Sequence, residues 1–137
     1  MDKLKLLIAE DDSLTTKLYT EGLSTETFRL RTVNNGEEAW DIYNSWKPDI
    51  LILDILMPFM TGYQALKKIR TVEVKAKKLE DKDEKKRTIV IMATSLKDKS
   101  DIMDCVKLGI NGYIVKPFEF KKINDIILDY YNQVYPE

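Results

Sequence analysis

Four places in this 137-residue chain put reactive groups directly behind short apolar runs. Glu10-Asp11-Asp12 follows 6–9, Asp54 follows 50–53, Thr94-Ser95 comes just after 89–92, and Lys116-Pro117 follows 113–115. If these places meet, they bring together several carboxylates, a hydroxyl and an ammonium. Carboxylates held close repel one another, so one takes up a proton or a cation sits among them. Oxygen ligands without imidazole or thiolate suit Mg²⁺, with Mn²⁺ or Ca²⁺ as substitutes. A cation plus Lys116 makes a locally positive pocket around one poised carboxylate. That is a site for receiving a phosphoryl group, whose oxygens the positive groups neutralise while the carboxylate attacks in line. Singly, each place has a plainer reading. The acidic triplet suits a helix N-cap, Asp54 a turn, Thr94-Ser95 a helix start, and Lys116-Pro117 a loop. The four together, each behind an apolar run, are hard to explain as caps.

Composition removes several other chemistries. With no histidine, a Ser-His-Asp triad, a Cys-His pair and an HExxH zinc site are excluded, and the chain is not itself a phosphohistidine carrier. The single cysteine, Cys105, allows no internal disulfide and no thiolate cluster, which favours a reducing, cytoplasmic setting. Basic and acidic residues nearly cancel, 22 against 23, so no global field draws in nucleic acid or an anionic membrane. The first residues are too short and too charged for a signal peptide, and no apolar run approaches the ~20 residues of a membrane span.

The elements that position these groups follow from periodicity. Runs 6–9, 50–53 and 89–92 are continuously apolar and read as strands buried on both faces. Segment 28–33 alternates, as a half-exposed edge strand does, and 113–115 reads as a short fifth strand. Between them, shared faces mark five helices: Leu14 and Leu18; Ala39, Tyr43 and Trp46; Leu66, Ile69, Val72, Ala76 and Leu79; Ile102 and Val106; and Phe120, Ile123, Ile127, Tyr130 and Val134. Strand-helix units repeated five times predict one α/β domain over 1–137. Its doubly wound, five-stranded parallel sheet has order 2-1-3-4-5, the flavodoxin-like arrangement, with 28–33 at an edge. Ligands bind such sheets at the carboxyl ends of the strands, where the four places converge.

These residues resemble the receiver domains of two-component response regulators of the chemotaxis-regulator kind. The resemblance rests on Glu10-Asp11-Asp12, on 52–58 (Ile-Leu-Asp-Ile-Leu-Met-Pro), on Gly62, on Ala93-Thr94-Ser95 and on 112–118 (Gly-Tyr-Ile-Val-Lys-Pro-Phe). It covers essentially the whole chain. It implies that Asp54 is the phosphoacceptor. Asp11, Asp54 and the Leu56 carbonyl would hold Mg²⁺, with Glu10 acting through water. Thr94 would grip the phosphoryl group, Lys116 would pair with it, and Tyr113 would be the aromatic switch residue, a core tyrosine being its plainer reading. The Lys116-Pro117 bond is cis in many such domains. The resemblance also implies a sensor histidine kinase or phosphotransfer protein as donor, and a downstream protein or a fused output domain as target. No direct contact with nucleic acid or membrane is implied, and a homodimer is left open. Such a domain is no enzyme in the ordinary sense, since it promotes only its own phosphorylation and dephosphorylation. A degenerate receiver, binding partners as a scaffold without phosphorylation, is the alternative.

Two features depart from the family pattern. Lys75 to Arg87 holds seven basic and four acidic residues, lengthening the segment between the third helix and the fourth strand. Glu73–Lys77 and Asp81–Lys85 at i,i+4 spacing predict a charged helix extension and loop at about 73–87, with a docking surface as the sharper reading. In the family resembled, side chains two residues after the phosphoacceptor and the hydroxyl influence water attack. Here they are Leu56 and Leu96, which offer no hydrogen bond to orient a water and crowd its path, so the resemblance implies slow self-dephosphorylation. An aspartate-nucleophile phosphatase would need an acid at position 56. A flavin carrier would need a phosphate loop where Glu10-Asp11-Asp12 would repel a phosphate.

Overall fold

The computed structural model describes residues 2–79, 87–95 and 99–136. Five parallel strands alternate with five helices: β1 (Leu4–Ala9), α1 (Ser13–Gly22), β2 (Phe28–Val33), α2 (Gly36–Trp46), β3 (Ile50–Asp54), α3 (Gly62–Leu79), β4 (Ile89–Ser95), α4 (Lys99–Leu108), β5 (Gly112–Lys116) and α5 (Phe120–Val134). The strand order is β2-β1-β3-β4-β5, as the pattern predicts. Strand pleating sorts the apolar runs onto two faces. Leu6, Ile8, Ile50, Ile52, Ile89 and Ile91 pack with Tyr19 of α1 and with Ile123 and Ile127 of α5. Leu7, Ala9, Leu51, Leu53, Val90 and Met92 pack with Ala39 of α2, Leu66 and Ile69 of α3, and Cys105 of α4. Among the described residues no helix is long and apolar enough to cross a membrane.

Three strands run longer than the apolar pattern marks, so Asp54, Thr94 and Lys116 are strand residues rather than loop residues. Helix faces also differ in detail. In α1 the buried residue is Tyr19, while Leu14 is 72% exposed, and in α4 Cys105 is buried where Val106 is exposed. The α1 face lies one residue from the predicted one, and in α4 Ile102 packs against the core as predicted while Val106 does not, because two apolar residues a turn apart do not define a stripe. The α5 face holds at Ile123 and Ile127, but Phe120 and Val134, at the ends of the helix, are exposed. In α3, Leu66 and Ile69 are buried and Val72 is exposed. The side chains of Ala76, Lys77 and Leu79, and all of 80–86 with the Asp81–Lys85 pair, lie outside the described residues, as does Leu96.

Glu73 turns inward to Arg70, whose Nη1 donates to its Oε1 at 2.6 Å. The buried Arg70 also donates from Nε to the Gly109 carbonyl at 2.8 Å and from Nη2 to Asn111 Oδ1 at 3.3 Å. Asn111 Oδ1 in turn accepts the Val90 amide at 2.8 Å. This cluster ties α3 to the start of β4 and to the turn before β5, at the end of the sheet opposite the four reactive places.

At that reactive end, Gly62 starts α3 against the end of β3. A Cβ there would lie 2.2 Å from the Asp54 carbonyl oxygen, a backbone atom that cannot rotate aside. Gly62→Ala is expected to lower stability by about 1–3 kcal/mol through overpacking. Urea denaturation checks this, and an unchanged midpoint would refute so tight an approach.

Candidate functional site

Parallel register brings the reactive residues level. Ala9 lies opposite Leu53, so Glu10, the next residue, comes beside Asp54. Asp54 pairs with Ala93, which places Thr94 one step further along, and Ser95 pairs with Lys116. Glu10, Asp54 and Thr94 are buried, whereas Asp11 is exposed at the rim. The Lys116 side chain reaches across β4, and its Nζ donates to Glu10 Oε1 and to Asp54 Oδ2, both at 3.0 Å. Ligand oxygens of Glu10, Asp11 and Asp54 all lie within 4.8 Å of one another. The Thr94 hydroxyl donates to the Ser95 carbonyl at 3.0 Å. Leu56 stands 58% exposed on the loop after β3. Tyr113 is half exposed on β5 rather than packed in the core, and its carbonyl accepts the Tyr130 hydroxyl at 3.1 Å. The Lys116–Pro117 bond is cis.

Asp12, the third acid of the triplet, does the work of a cap. Its Oδ2 accepts the Thr15 amide at 3.0 Å and the Thr15 hydroxyl at 2.6 Å, and these bonds hold its carboxyl below the usual range. The triplet therefore divides into one cap and two acids that face Asp54. Periodicity did not single out Tyr19. Its ring packs on Phe118 at 4.6 Å between centroids, just past Lys116, with its hydroxyl fully buried and without a hydrogen-bond partner among the described residues. Burial, then the charges of Glu10 and Asp54, push that hydroxyl's pKa up.

Residues 6–128 match the family profile described as the response regulator receiver domain. The chain belongs to this family. This receiver is 30% identical over 125 residues to the chemotaxis protein CheY of Halobacterium salinarum, covering 91% of this chain and 94% of that protein. It is 32% identical over 122 residues to the transcriptional regulatory protein HprR of Escherichia coli, but spans 48% of HprR's length against 88% of its own. The receiver domain of Ssk1 from Saccharomyces cerevisiae, solved with the histidine phosphotransfer protein Ypd1, superposes with a TM-score of 0.81 at 22% identity, covering 93% of this chain and 88% of that one.

The receiver's acid cluster is short of positive charge. Burial, followed by the hydrogen bond and negative charge of Asp54, pushes the Glu10 carboxyl up to about 7 against the opposing pull of Lys116. Burial also works against the Lys116 ammonium, but its contacts with Asp54 and Glu10 outweigh this and raise its pKa. One ammonium thus contacts two of the three carboxylates, Glu10 and Asp54, and none is seen on Asp11 among the described residues. A cation with oxygen ligands at about 2.1 Å holds those oxygens roughly 3–4 Å apart, close to the spacing present here. Glu10, Asp11 and Asp54 therefore fit a divalent metal in both charge and spacing.

The same electrostatics set a pH dependence for the protein in chelator. A carboxyl whose folded pKa exceeds its unfolded value binds more protons when folded, so its stabilising contribution is lost as pH rises from about 4.5 to about 7. Melting temperature is expected to fall across that window, and to fall less in Glu10→Gln. Parallel profiles for the two proteins would show that Glu10 is not the strained group.

Proposed function

We propose that this receiver accepts a phosphoryl group on Asp54 and that Mg²⁺ assists. One observation carries the reading. The buried Asp54 carboxylate sits 3.0 Å from an ammonium at the strand ends, which it shares with buried Glu10, and Asp11 lies beside them. Glu10, Asp11, Asp54 and the Leu56 carbonyl would hold the metal, with Mn²⁺ or Ca²⁺ as substitutes. Bound there, it supplies positive charge to the phosphoryl oxygens.

Asp54 is the nucleophile. Its oxygen attacks phosphorus in line as the bond to the donor nitrogen of a phosphohistidine breaks. Lys116, already bonded to Asp54 Oδ2, is placed to neutralise a phosphoryl oxygen, and burial of Asp54 strengthens that attraction. Thr94, one residue beyond the β4 partner of Asp54, turns its hydroxyl to the phosphoryl group. Tyr113, half exposed at the start, moves into the space Thr94 leaves and reshapes the surface of α4, β5 and α5. The phosphoryl group makes these contacts in only one state, so it shifts the population toward that state. The chain promotes its own phosphorylation and dephosphorylation and acts on no other substrate.

The donor is a sensor histidine kinase or a phosphotransfer protein. The likeness to the Ssk1 receiver, solved with such a protein, supports this. The target is a downstream protein or a fused output domain, since HprR and the regulatory protein AtoC of Escherichia coli are longer than their matched parts, 24% in AtoC. A cytoplasmic setting agrees with the single, buried Cys105.

Acetyl phosphate with Mg²⁺ is expected to add one phosphoryl group to the parent, read as a mass shift, and none to Asp54→Asn. No gain under any metal condition would favour the scaffolding receiver instead. Leu56→Asn supplies a group that can orient an attacking water and is expected to speed phosphate release several-fold. An unchanged release rate would remove the exposed leucine from the account of phosphoryl lifetime.

A further inference from the structure

Away from the acid cleft lies a surface that the receiver chemistry does not use. A groove of about 600 Å³ is formed by α2, α3 and the loop after β3. Trp40, Phe59, Met60 and Val72 give it an apolar lining, and among the described residues Lys67 and Lys68 are its only charged lining groups. Lys68 Nζ stands 5.5 Å from the centre of the Trp40 ring.

Phe59 is the unusual member. It is 86% exposed, and its backbone has φ +67°, the left-handed region that aromatic residues rarely adopt. Within the chain, packing gives this strained and exposed ring little return. Such residues gather at sites that hold a ligand or a partner. Charge supplies a second, independent indication. Between 62 and 75 the exposed charges of α3 are Lys67, Lys68 and Lys75, because Arg70 and Glu73 are turned inward onto each other. The exposed acids of α2 (Glu37, Glu38 and Asp41) line no part of the groove.

We propose that this groove docks an acidic amphipathic helix of a partner protein. Its walls include two helices whose backbone hydrogen bonds are made within themselves, so no sheet edge is offered for strand addition and side-chain packing is what recognises the guest. Along α3 the lining runs from Gln64 to Val72, about 12 Å at the helical rise, which matches two turns of a guest helix. Apolar residues on one face of the guest meet Trp40, Met60 and Val72, Phe59 closes over one end, and flanking carboxylates reach Lys67 and Lys68. The groove is separate from the acid cleft, so docking there requires no change in the phosphorylation chemistry.

The test uses the isotopically labelled chain and a synthetic peptide of about three helical turns, with leucine at i, i+3 and i+7 and mostly glutamate elsewhere. A matched peptide carries lysine in place of glutamate. The acidic peptide is expected to shift the Trp40 indole signal and amide signals within 36–44 and 59–75. Lys67→Glu/Lys68→Glu is expected to weaken binding about tenfold or more while leaving phosphorylation by acetyl phosphate at the parent level. Phe59→Ser is expected to weaken it comparably with the amide spectrum otherwise kept. Shifts elsewhere, equal binding of the lysine peptide, or no shift at about 1 mM peptide would overturn the proposal. Sedimentation showing a dimer that Phe59→Ser dissolves would also overturn it, assigning the groove to a second copy.

Discussion

Everything at the reactive end turns on one ammonium held between two buried carboxylates. Lys116 is the only cation that contacts Glu10 and Asp54 among the described residues, and it comes from the far side of β4 to do so. Removing charges from water costs far more than a neutral group would, unless they are paired. One positive charge stands among three carboxylates, and burial first, then the hydrogen bond and charge of Asp54, raise the Glu10 carboxyl. A site tuned in this way is ready for further positive charge and, once that is supplied, for the negative charge of a phosphoryl group.

The sheet converts this electrostatic demand into geometry. Parallel strands in register put the residue after Ala9 beside the last residue of β3, and the last residue of β4 beside Lys116. Small residues keep the approaches open. Ala93 carries little bulk where β4 pairs with Asp54, and Gly62 lets α3 start against the Asp54 carbonyl. At the other end, the buried Arg70 gathers Glu73, Gly109 and Asn111 into one network. The sheet is therefore bonded by side chains at both ends, one end built for chemistry and the other for holding α3 and the turn before β5 together.

The α3 helix faces two ways. Its inner face closes the core through Ala65, Leu66 and Ile69, while its outer face presents lysines beside an aromatic groove. Because Arg70 draws Glu73 inward, the helix that carries mixed charge in the sequence shows solvent only positive charge between 62 and 75. The charge pattern of a surface helix is thus decided partly by what its core side needs.

By itself, the sequence determined the fold and the place of the site. Continuous apolar runs specify strands buried on both faces, five strand-helix units specify the doubly wound order, and reactive residues behind four of the strands specify which end carries the chemistry. These signals are legible because they depend on local period and on the direction of the chain. Other features depend on contacts between residues far apart in the chain. That Asp54, Thr94 and Lys116 lie within strands follows from hydrogen bonding to neighbouring strands, which apolarity alone does not mark. Tyr19 rather than Leu14 is buried because α5 and Phe118 pack over it. Asp12 separates from its acidic neighbours because α1 begins there and claims it as a cap. Two buried acids share one lysine only because the chain folds Lys116, 106 positions further on, back onto Glu10. Residue types and spacing state which groups are present, but burial and partners exist only once the strands are side by side.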